Sequence, residues 1–189
     1  MEYLDEVILK ERKELEYQSH TTLEAGIYVD DNLITFTEQQ LEDLNISVYL
    51  PDDFILMPPQ VKDIKYPSKE APDVILTSLS STINIGFSKL EIIIEEKDTV
   101  QIREQFQNVI KNVNPSIMIM KNETGETNTG QEMSWFDFRG YSVDGQSYNR
   151  MYFYRMKKFV IHGIFNCPMS DKVNWSQIVD QLYCTVQEL

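Results

Sequence analysis

The sequence is poor in basic residues, and this shortage excludes two classes of partner. Its 189 residues contain 17 Lys and Arg against 30 Asp and Glu, so the formal net charge is −13. Nucleic acids and anionic membrane surfaces are bound through clusters of Lys and Arg that replace counterions, and no such cluster occurs. We therefore expect no nucleic acid partner. The same charge favours basic or neutral partners.

Cysteines and long apolar runs are also scarce. Cys167 and Cys184 are the only cysteines, which is too few for a disulfide framework, and we expect two free thiols. The first residues are acidic and lack the basic and apolar regions of a signal peptide. No apolar run approaches the roughly 20 residues of a membrane span. The sequence thus predicts no membrane insertion and a cytoplasmic localisation.

Apolar periodicity predicts an α+β fold in which helices cover a mainly antiparallel sheet. Residues 1–25 form a charged helix or arm, with Leu4, Ile8 and Leu15 on one side and Glu11 interrupting them. Residues 26–189 form a single domain. Short connections between the late strands require antiparallel pairing, because parallel crossovers need many more residues.

Several segments of the domain are predicted from local signals. Asp98 and Asn114-Pro115 bound a central helix, and a final helix begins near Ser170 or Asp171 and buries Trp175, Ile178, Val179, Leu182, Val186 and Leu189. Residues 121–130 are expected to form a polar turn or a flexible tip. The predicted strands and hairpins fall at 26–37, 46–50, 74–77, 83–94, 117–120, 134–155 and 159–167.

The hairpin from Ser134 to Arg155 alternates between two sets of side chains. Phe136, Phe138, Met151 and Phe153 make one apolar face. If Asp144-Gly145 forms the turn, Val143 faces Gln146. The other face then pairs residues as follows: Trp135 with Tyr154, Asp137 with Tyr152, Arg139 with Arg150, and Tyr141 with Tyr148.

This second face gives the candidate site. Directly opposed arginines repel, so we expect Arg139, Tyr141, Tyr148 and Arg150 to stay accessible near the hairpin tip, with Asp137 close by. Three interpretations remain open: a face covered by a helix, a surface for a partner or ligand, and an enzyme pocket. The weak partner-binding prediction names five residues: Asp137, Arg139, Tyr141, Tyr148 and Arg150.

Catalytic and metal-binding patterns are weak. His162 and Cys167 are five residues apart on one predicted strand, so they point to opposite faces roughly 16 Å apart and cannot form a dyad. The paired acidic residues are typical of turns and solvated edges. No motif for a phosphate loop, a dinucleotide or a zinc hydrolase occurs. We predict no catalytic residue, no metal and no cofactor.

Several segments resemble the PsbP/Mog-like superfamily. They are I-S-V-Y-L-P-D-D-F, I-N-I-G-F-S, the helix after Asp98, the W-F-D-F hairpin and H-G-I-F-N-C before a C-terminal helix, which together span residues 26–189. The segment from Lys65 to Ile75 is also similar to a group of Firmicutes proteins with a K-Y-P-S…P-x-V/I-I pattern. The resemblance implies an α-β-α sandwich and a binding or assembly factor rather than an enzyme.

The leading functional hypothesis is a bacterial, non-enzymatic adaptor or chaperone-like domain whose partner is another protein. The resemblance alone adds a setting in secretion or envelope assembly. The alternative is a small-molecule ligand sensor or hydrolase that uses Asp137, Arg139, Tyr148 and Arg150 on the hairpin face. A third hypothesis is a subunit that acts only as an oligomer. An enzyme should have an enclosed pocket, and an adaptor an exposed patch.

Overall fold

A computed structural model describes residues 3–67, 71–90, 98–142 and 145–189. The helices are α1 (Leu4–Ser19), α2 (Pro59–Lys65), α3 (Thr99–Val113) and α4 (Lys172–Cys184). The strands are β1 (Thr21–Thr22), β2 (Gly26–Val29), β3 (Asn32–Ile34), β4 (Phe36–Leu41), β5 (Ile46–Pro51), β6 (Ile55–Leu56), β7 (Val74–Thr77), β8 (Asn84–Leu90), β9 (Met118–Glu126), β10 (Glu132–Ser142), β11 (Gly145–Arg155), β12 (Val160–Pro168) and β13 (Gln187–Glu188).

A seven-stranded sheet organises the domain, in the order β6-β7-β8-β12-β11-β10-β9. Its paired strands are all antiparallel, which confirms the predicted α+β class. Helix α3 packs on one face, here called the α3 face, against Phe136, Phe138 and Phe153. Helix α4 and the small sheet β13-β5-β4 cover the other, the α4 face.

Helix α3 begins and ends where the sequence predicts. The Asp98 side chain accepts a hydrogen bond from the Gln101 backbone N–H at 2.8 Å, which satisfies one of the free donors of the first turn. Asn114 ends the helix one residue before Pro115. Ile102 is buried, and the Phe106 ring lies against Phe153. Local capping and the packing of Ile102, Phe106 and Ile110 therefore account for this element, whereas Val109 and Val113, predicted on the same apolar face, are exposed.

Helix α4 follows its predicted stripe and then departs from it. Trp175, Ile178, Val179 and Leu182 are buried as expected. The helix ends at Cys184, and the chain continues into β13, which pairs with β5. The prediction that the stripe continues to Leu189 is wrong, because Leu189 lies beyond this strand and is half exposed.

Tyr183 adds a buried ring to the α4 face that the predicted stripe did not include. It stacks on Tyr152 with ring centroids 4.0 Å apart. A Cβ atom at Gly163 would lie only 2.6 Å from the Tyr183 ring, so glycine is needed where the helix lies against β12.

The hairpin of β10 and β11 keeps the predicted faces but not the predicted register. Phe136, Phe138 and Phe153 are buried together, with Met151 half-buried beside them. Gln146 pairs with Tyr141 instead of Val143, and Val143 itself lies outside the described residues.

A shift of two residues changes the partners and leaves every side chain on its own face. Asp137 therefore lies opposite Arg150, and Arg139 lies opposite Tyr148. This pairing replaces the predicted contact between two arginines with one between opposite charges, which is the more stable cross-strand arrangement.

Three other segments differ from expectation. Strand β9 runs to Glu126, so most of the predicted polar turn at 121–130 is paired with β10. Strand β4, which pairs with β5, and helix α2, which lies in a segment bracketed by Pro58 and Pro72, were not predicted. Of the strand expected at 83–94, β8 accounts for residues to Leu90, and the remainder lies outside the described residues.

Helix α1 stands apart from both cores. None of its residues is buried, whereas Leu23, four residues after the helix ends, is only 3% exposed and belongs to the main core. The division into an arm of residues 1–25 and a domain of residues 26–189 stays a prediction.

Candidate functional site

The predicted hairpin site is a buried ion pair. The Arg150 guanidinium donates to both Asp137 carboxylate oxygens, from Nε at 2.5 Å and from Nη2 at 3.1 Å. The Tyr148 hydroxyl donates to Asp137 at 2.9 Å, and Arg150 Nη1 donates to the Tyr152 hydroxyl and to Asp180 of α4. Each charged group is thus satisfied within the protein, as burial requires.

This network corrects the expected accessibility of the site. Tyr148 and Arg150 are 0% and 4% exposed, and Asp137 is also buried, because α4 lies across this part of the hairpin. Burial also raises the pKa of Tyr148, so its hydroxyl stays protonated. The interpretation in which a helix covers the face is the one that applies to these three residues.

The other two predicted residues lie closer to the hairpin tip. Tyr141 is 46% exposed, and Arg139 is half-buried with its guanidinium carbon 5.4 Å from the Tyr141 ring. A partner-binding role for Arg139 and Tyr141 stays a prediction. A ligand or hydrolase site that needs Arg150 and Tyr148 open to solvent does not fit this face.

His162 and Cys167 lie on opposite faces of the sheet, as the sequence predicts. The His162 ring stacks between Phe106 and Phe153 on the α3 face, and burial lowers its pKa to about 4. Cys167 belongs to the core of the α4 face, where burial raises the pKa of its thiol to about 12. Both side chains are therefore uncharged near neutral pH. Cys167 and Cys184 are free thiols, as expected.

The ranges that the structure describes contain neither a group of metal-binding side chains nor a membrane-spanning helix. No three His, Cys, Asp or Glu side chains come close enough together there to hold a metal ion. In those ranges, too, every helix is too short or too polar to span a bilayer.

Helix α1 contacts the domain through one side of its C-terminal half. Tyr17 donates to the Asp31 carboxylate at 2.7 Å, and Lys13 forms an ion pair with the same carboxylate at 2.5 Å. Tyr28 of β2 donates to Glu16 at 2.6 Å. These contacts anchor the helix to the turn between β2 and β3.

The opposite side of α1 carries three of its apolar residues. Leu4, Ile8 and Leu15 are 74%, 42% and 64% exposed, and we call them the α1 stripe. With 3.6 residues per turn, the stripe lies on the far side of the helix from Lys13 and Tyr17. An apolar row that faces away from its own domain is typical of a surface that another protein covers.

A row of polar side chains crosses the α3 face at a place where the sequence analysis named no candidate. It consists of Thr77, Asn84, Asn166 and Asn149, which lie side by side on β7, β8, β12 and β11, and we call it the polar row. Asn84 is 3% exposed. The available signal was the series Asn84, Gly86 and Ser88, in which every second position of β8 lacks an apolar side chain.

Hydrogen bonds join three members of the polar row to one another and to Tyr66. Thr77 donates to Asn84, Asn84 donates to Asn166, and Asn166 donates to the hydroxyl of Tyr66, each at 2.7 Å. Asn149 donates to the Ser147 hydroxyl at 3.0 Å. Burial raises the pKa of Tyr66, so this hydroxyl keeps its proton.

Comparison with known proteins identifies the fold of this chain. No family model matches the chain, and no curated protein matches it. Among solved structures, it is similar to cyanobacterial PsbP (CyanoP) from Synechocystis, with a TM-score of 0.63 and 10% identity over 87% of this chain and 98% of that one. LpqN of Mycobacterium tuberculosis has a TM-score of 0.54 and 14% identity over 89% and 97% of the two chains.

A protein from Bacteroides thetaiotaomicron shares part of the architecture, with a TM-score of 0.50 and 10% identity over 77% of this chain and 45% of that one. At these identities the likeness concerns the fold alone. The chain has a PsbP-like α+β fold, as its sequence resemblance predicted. The Firmicutes origin stays a prediction.

Proposed function

We propose that this protein is a non-enzymatic adaptor that binds a partner protein through the α1 stripe. The observation that carries the proposal is the direction of the stripe: Leu4, Ile8 and Leu15 are exposed on the side of α1 that faces away from the domain. Burial of an apolar face supplies most helical stability in proteins, and no residue of α1 is buried. A partner that covers the stripe would supply that burial.

The spacing of the stripe favours a helical partner. Residues 4, 8, 11 and 15 are separated by four, three and four positions, the spacing of the apolar seam in a coiled coil. Glu11 occupies one of these seam positions and is exposed. A partner helix with apolar residues and one Lys or Arg opposite Glu11 would fit this seam, and the net charge of −13 also favours a basic partner.

A second copy of the chain fits less well. Two α1 helices packed along this seam would place Glu11 of each copy among apolar groups, without a basic residue on the seam to pair with it. An unpaired carboxylate there would cost free energy. We therefore propose that a different protein, and not a second copy of this chain, covers the stripe.

The pathway is also part of the proposal. LpqN, which shares the fold, is involved in cell envelope biogenesis in Mycobacterium tuberculosis. This supports envelope assembly, or secretion, as the setting in which to search for the partner. A cytoplasmic location of the adaptor stays a prediction.

The test is quantitative co-purification from the native cell with a tag at the C-terminal end, followed by binding measurements with the purified partner. Leu4→Ser with Leu15→Ser should remove the partner, since both changes fall on the stripe. Leu9→Ser is the matched control, because Leu9 is as exposed as Leu15 but lies off the stripe. Glu11→Lys should weaken the same complex by placing two positive charges together.

Two outcomes would contradict the proposal. Retention of the partner by the Leu4/Leu15 variant would place the binding surface elsewhere. A concentration-dependent dimer in light scattering that dissociates in that variant would assign the stripe to self-association. Unfolding curves of all four proteins check that the domain remains intact.

A further inference from the structure

The polar row on the α3 face leads into a cavity that the adaptor role does not use. The cavity has a volume of about 400 Å³ and lies between the end of α2 and the adjoining ends of β11 and β12. Volumes of this size are typical of small-ligand sites. Tyr66, Asn84, Ser147, Asn149 and Asn166 all line it.

The energetics of the row suggest that stability is not its purpose. A buried amide or hydroxyl costs free energy unless it is hydrogen-bonded, and apolar side chains are the usual residents of a central sheet. In the row of residues next to the polar row, Ile75 and Ile164 flank Gly86. A polar row kept among such residues indicates a function for its hydrogen-bonding groups.

The hydrogen bonds of the row have a direction that ends at the cavity. Donation passes from Thr77 through Asn84 and Asn166 to the Tyr66 hydroxyl oxygen, so Tyr66 is the acceptor in the last bond. Its own O–H donates to no atom within the described residues, and Tyr66 lines the cavity. This leaves a donor that a ligand oxygen can accept.

Asn149, the last member of the row, forms a second polar pair with Ser147 in the cavity lining. Asn149 donates to Ser147, and this leaves the Asn149 side-chain carbonyl and the Ser147 proton for a ligand. Gly140 makes room for the pair, since a Cβ there would lie 2.9 Å from the Ser147 hydroxyl oxygen and 3.4 Å from the Asn149 side-chain nitrogen. The cavity lining therefore offers both donors and acceptors.

The charge of the lining narrows the ligand class. No Asp or Glu is among the described residues that line the cavity, although the protein carries 30 acidic residues. Lys65 is the one basic residue there, and it donates to the Ser81 carbonyl oxygen. A ligand whose neutral groups both donate and accept hydrogen bonds matches this lining, and hydroxyl groups are of this kind.

We propose that this cavity binds a neutral, hydroxyl-rich small molecule the size of one or two sugar residues, held by Tyr66, Ser147, Asn149 and Asn166. The site is separate from the α1 stripe, so either proposal can fail without the other.

The test uses ¹⁵N-labelled full-length protein titrated at millimolar concentrations with a set of probes: methyl glucoside, methyl galactoside, methyl mannoside, maltose and myo-inositol. We expect at least one probe to shift the backbone amides of Ser147 and Asn149 and the side-chain amides of Asn149 and Asn166. Sodium sulfate and N-methylacetamide, which supply an anion and a neutral amide, should have no such effect.

Tyr66→Phe and Asn149→Leu should each weaken the binding by roughly tenfold, the effect of about 1.4 kcal/mol for one lost hydrogen bond. Asn108→Leu, the same change on the exposed surface of α3, should leave it unchanged. Absence of shifts with every sugar and inositol probe would overturn the proposal. Equal shifts in the Tyr66 and Asn149 variants, or a stronger response to sulfate or the amide, would do the same.

Discussion

The two faces of the seven-stranded sheet bury polar groups in different ways. On the α4 face, Asp137 and Arg150 are paired with each other and sealed by α4. On the α3 face, the hydrogen bonds of the polar row end at Tyr66, beside a cavity. The same sheet thus holds one polar network that is complete and another that has groups left for a ligand.

Aromatic packing accompanies the complete network. Tyr152, Tyr154 and Tyr183 stack beside Arg150, with Tyr183 4.0 Å from Tyr152, and burial raises the pKa of all three well above its ordinary value. The polar row is made of three asparagines and one threonine instead of rings. The comparison teaches that a buried ion pair sealed by a helix marks the structural part of this sheet, and neutral amides beside a cavity mark the candidate binding part.

The largest expected effect comes from breaking the ion pair on the α4 face. Asp137→Asn leaves Arg150 buried, with the exposed Asp180 as its remaining carboxylate partner among the described residues. Removal of one member of a buried pair costs about 3–5 kcal/mol of the free energy of unfolding, which urea titration would measure.

Asp180→Asn is the matched control, because it makes the same chemical change on the other carboxylate that contacts Arg150. The Asp180 side chain is 60% exposed, so solvent screens the interaction and we expect a loss of about 1 kcal/mol or less. Similar losses for the two variants would show that the buried pair is not the main stabilising contact of this face.

Much of the fold could be predicted from the sequence because its signals are local. Asp98 and Pro115 bound α3, and the alternation from Ser134 to Arg155 assigned the hairpin residues to their faces. The register could not be predicted from the Asp144-Gly145 signal, since a turn preference is weaker than the pairing of Asp137 with Arg150 across the strands.

The candidate sites were harder to predict because they depend on distant contacts. Arg150 is covered by α4, whose Asp180 follows it in the sequence by thirty residues. The polar row draws Thr77, Asn84, Asn149 and Asn166 from four strands, and only the order β7-β8-β12-β11 brings them together. In α1 the stripe was visible in the sequence, but its direction was not, since that depends on contacts of Lys13 and Tyr17 with Asp31.

A second prediction concerns His162 on the α3 face, whose pKa is lowered by burial from 6.5 to about 4. Between these values the unfolded chain binds a proton that the folded protein does not, so stability falls as the pH falls from 6.5 towards 4. The full difference is about 3 kcal/mol. Well above pH 6.5 the imidazole is neutral in both states and contributes no pH dependence.

His162→Phe should remove this part of the pH dependence, because a phenyl ring can pack between Phe106 and Phe153 without titrating. Urea titrations of both proteins between about pH 7 and pH 4 would measure it, and the acidic residues common to both cancel in the difference. Parallel stability curves for the two proteins would contradict a buried, neutral His162.

The smallest expected effect tests whether the polar row serves a ligand. Asn149 is half-buried, and its side chain bonds only to Ser147 within the described residues, so Asn149→Leu should change the free energy of unfolding by less than about 0.5 kcal/mol. Asn84→Leu is the comparison within the same row. It leaves the buried Thr77 hydroxyl with only its longer bonds to backbone carbonyl oxygens and removes the donor to the Asn166 side-chain oxygen, and a buried polar group left unpaired costs about 1–3 kcal/mol. Urea titration measures both variants. An equal loss for the two would make Asn149 a structural residue, whereas an unchanged stability with weakened sugar binding would assign its side chain to ligand binding in the cavity.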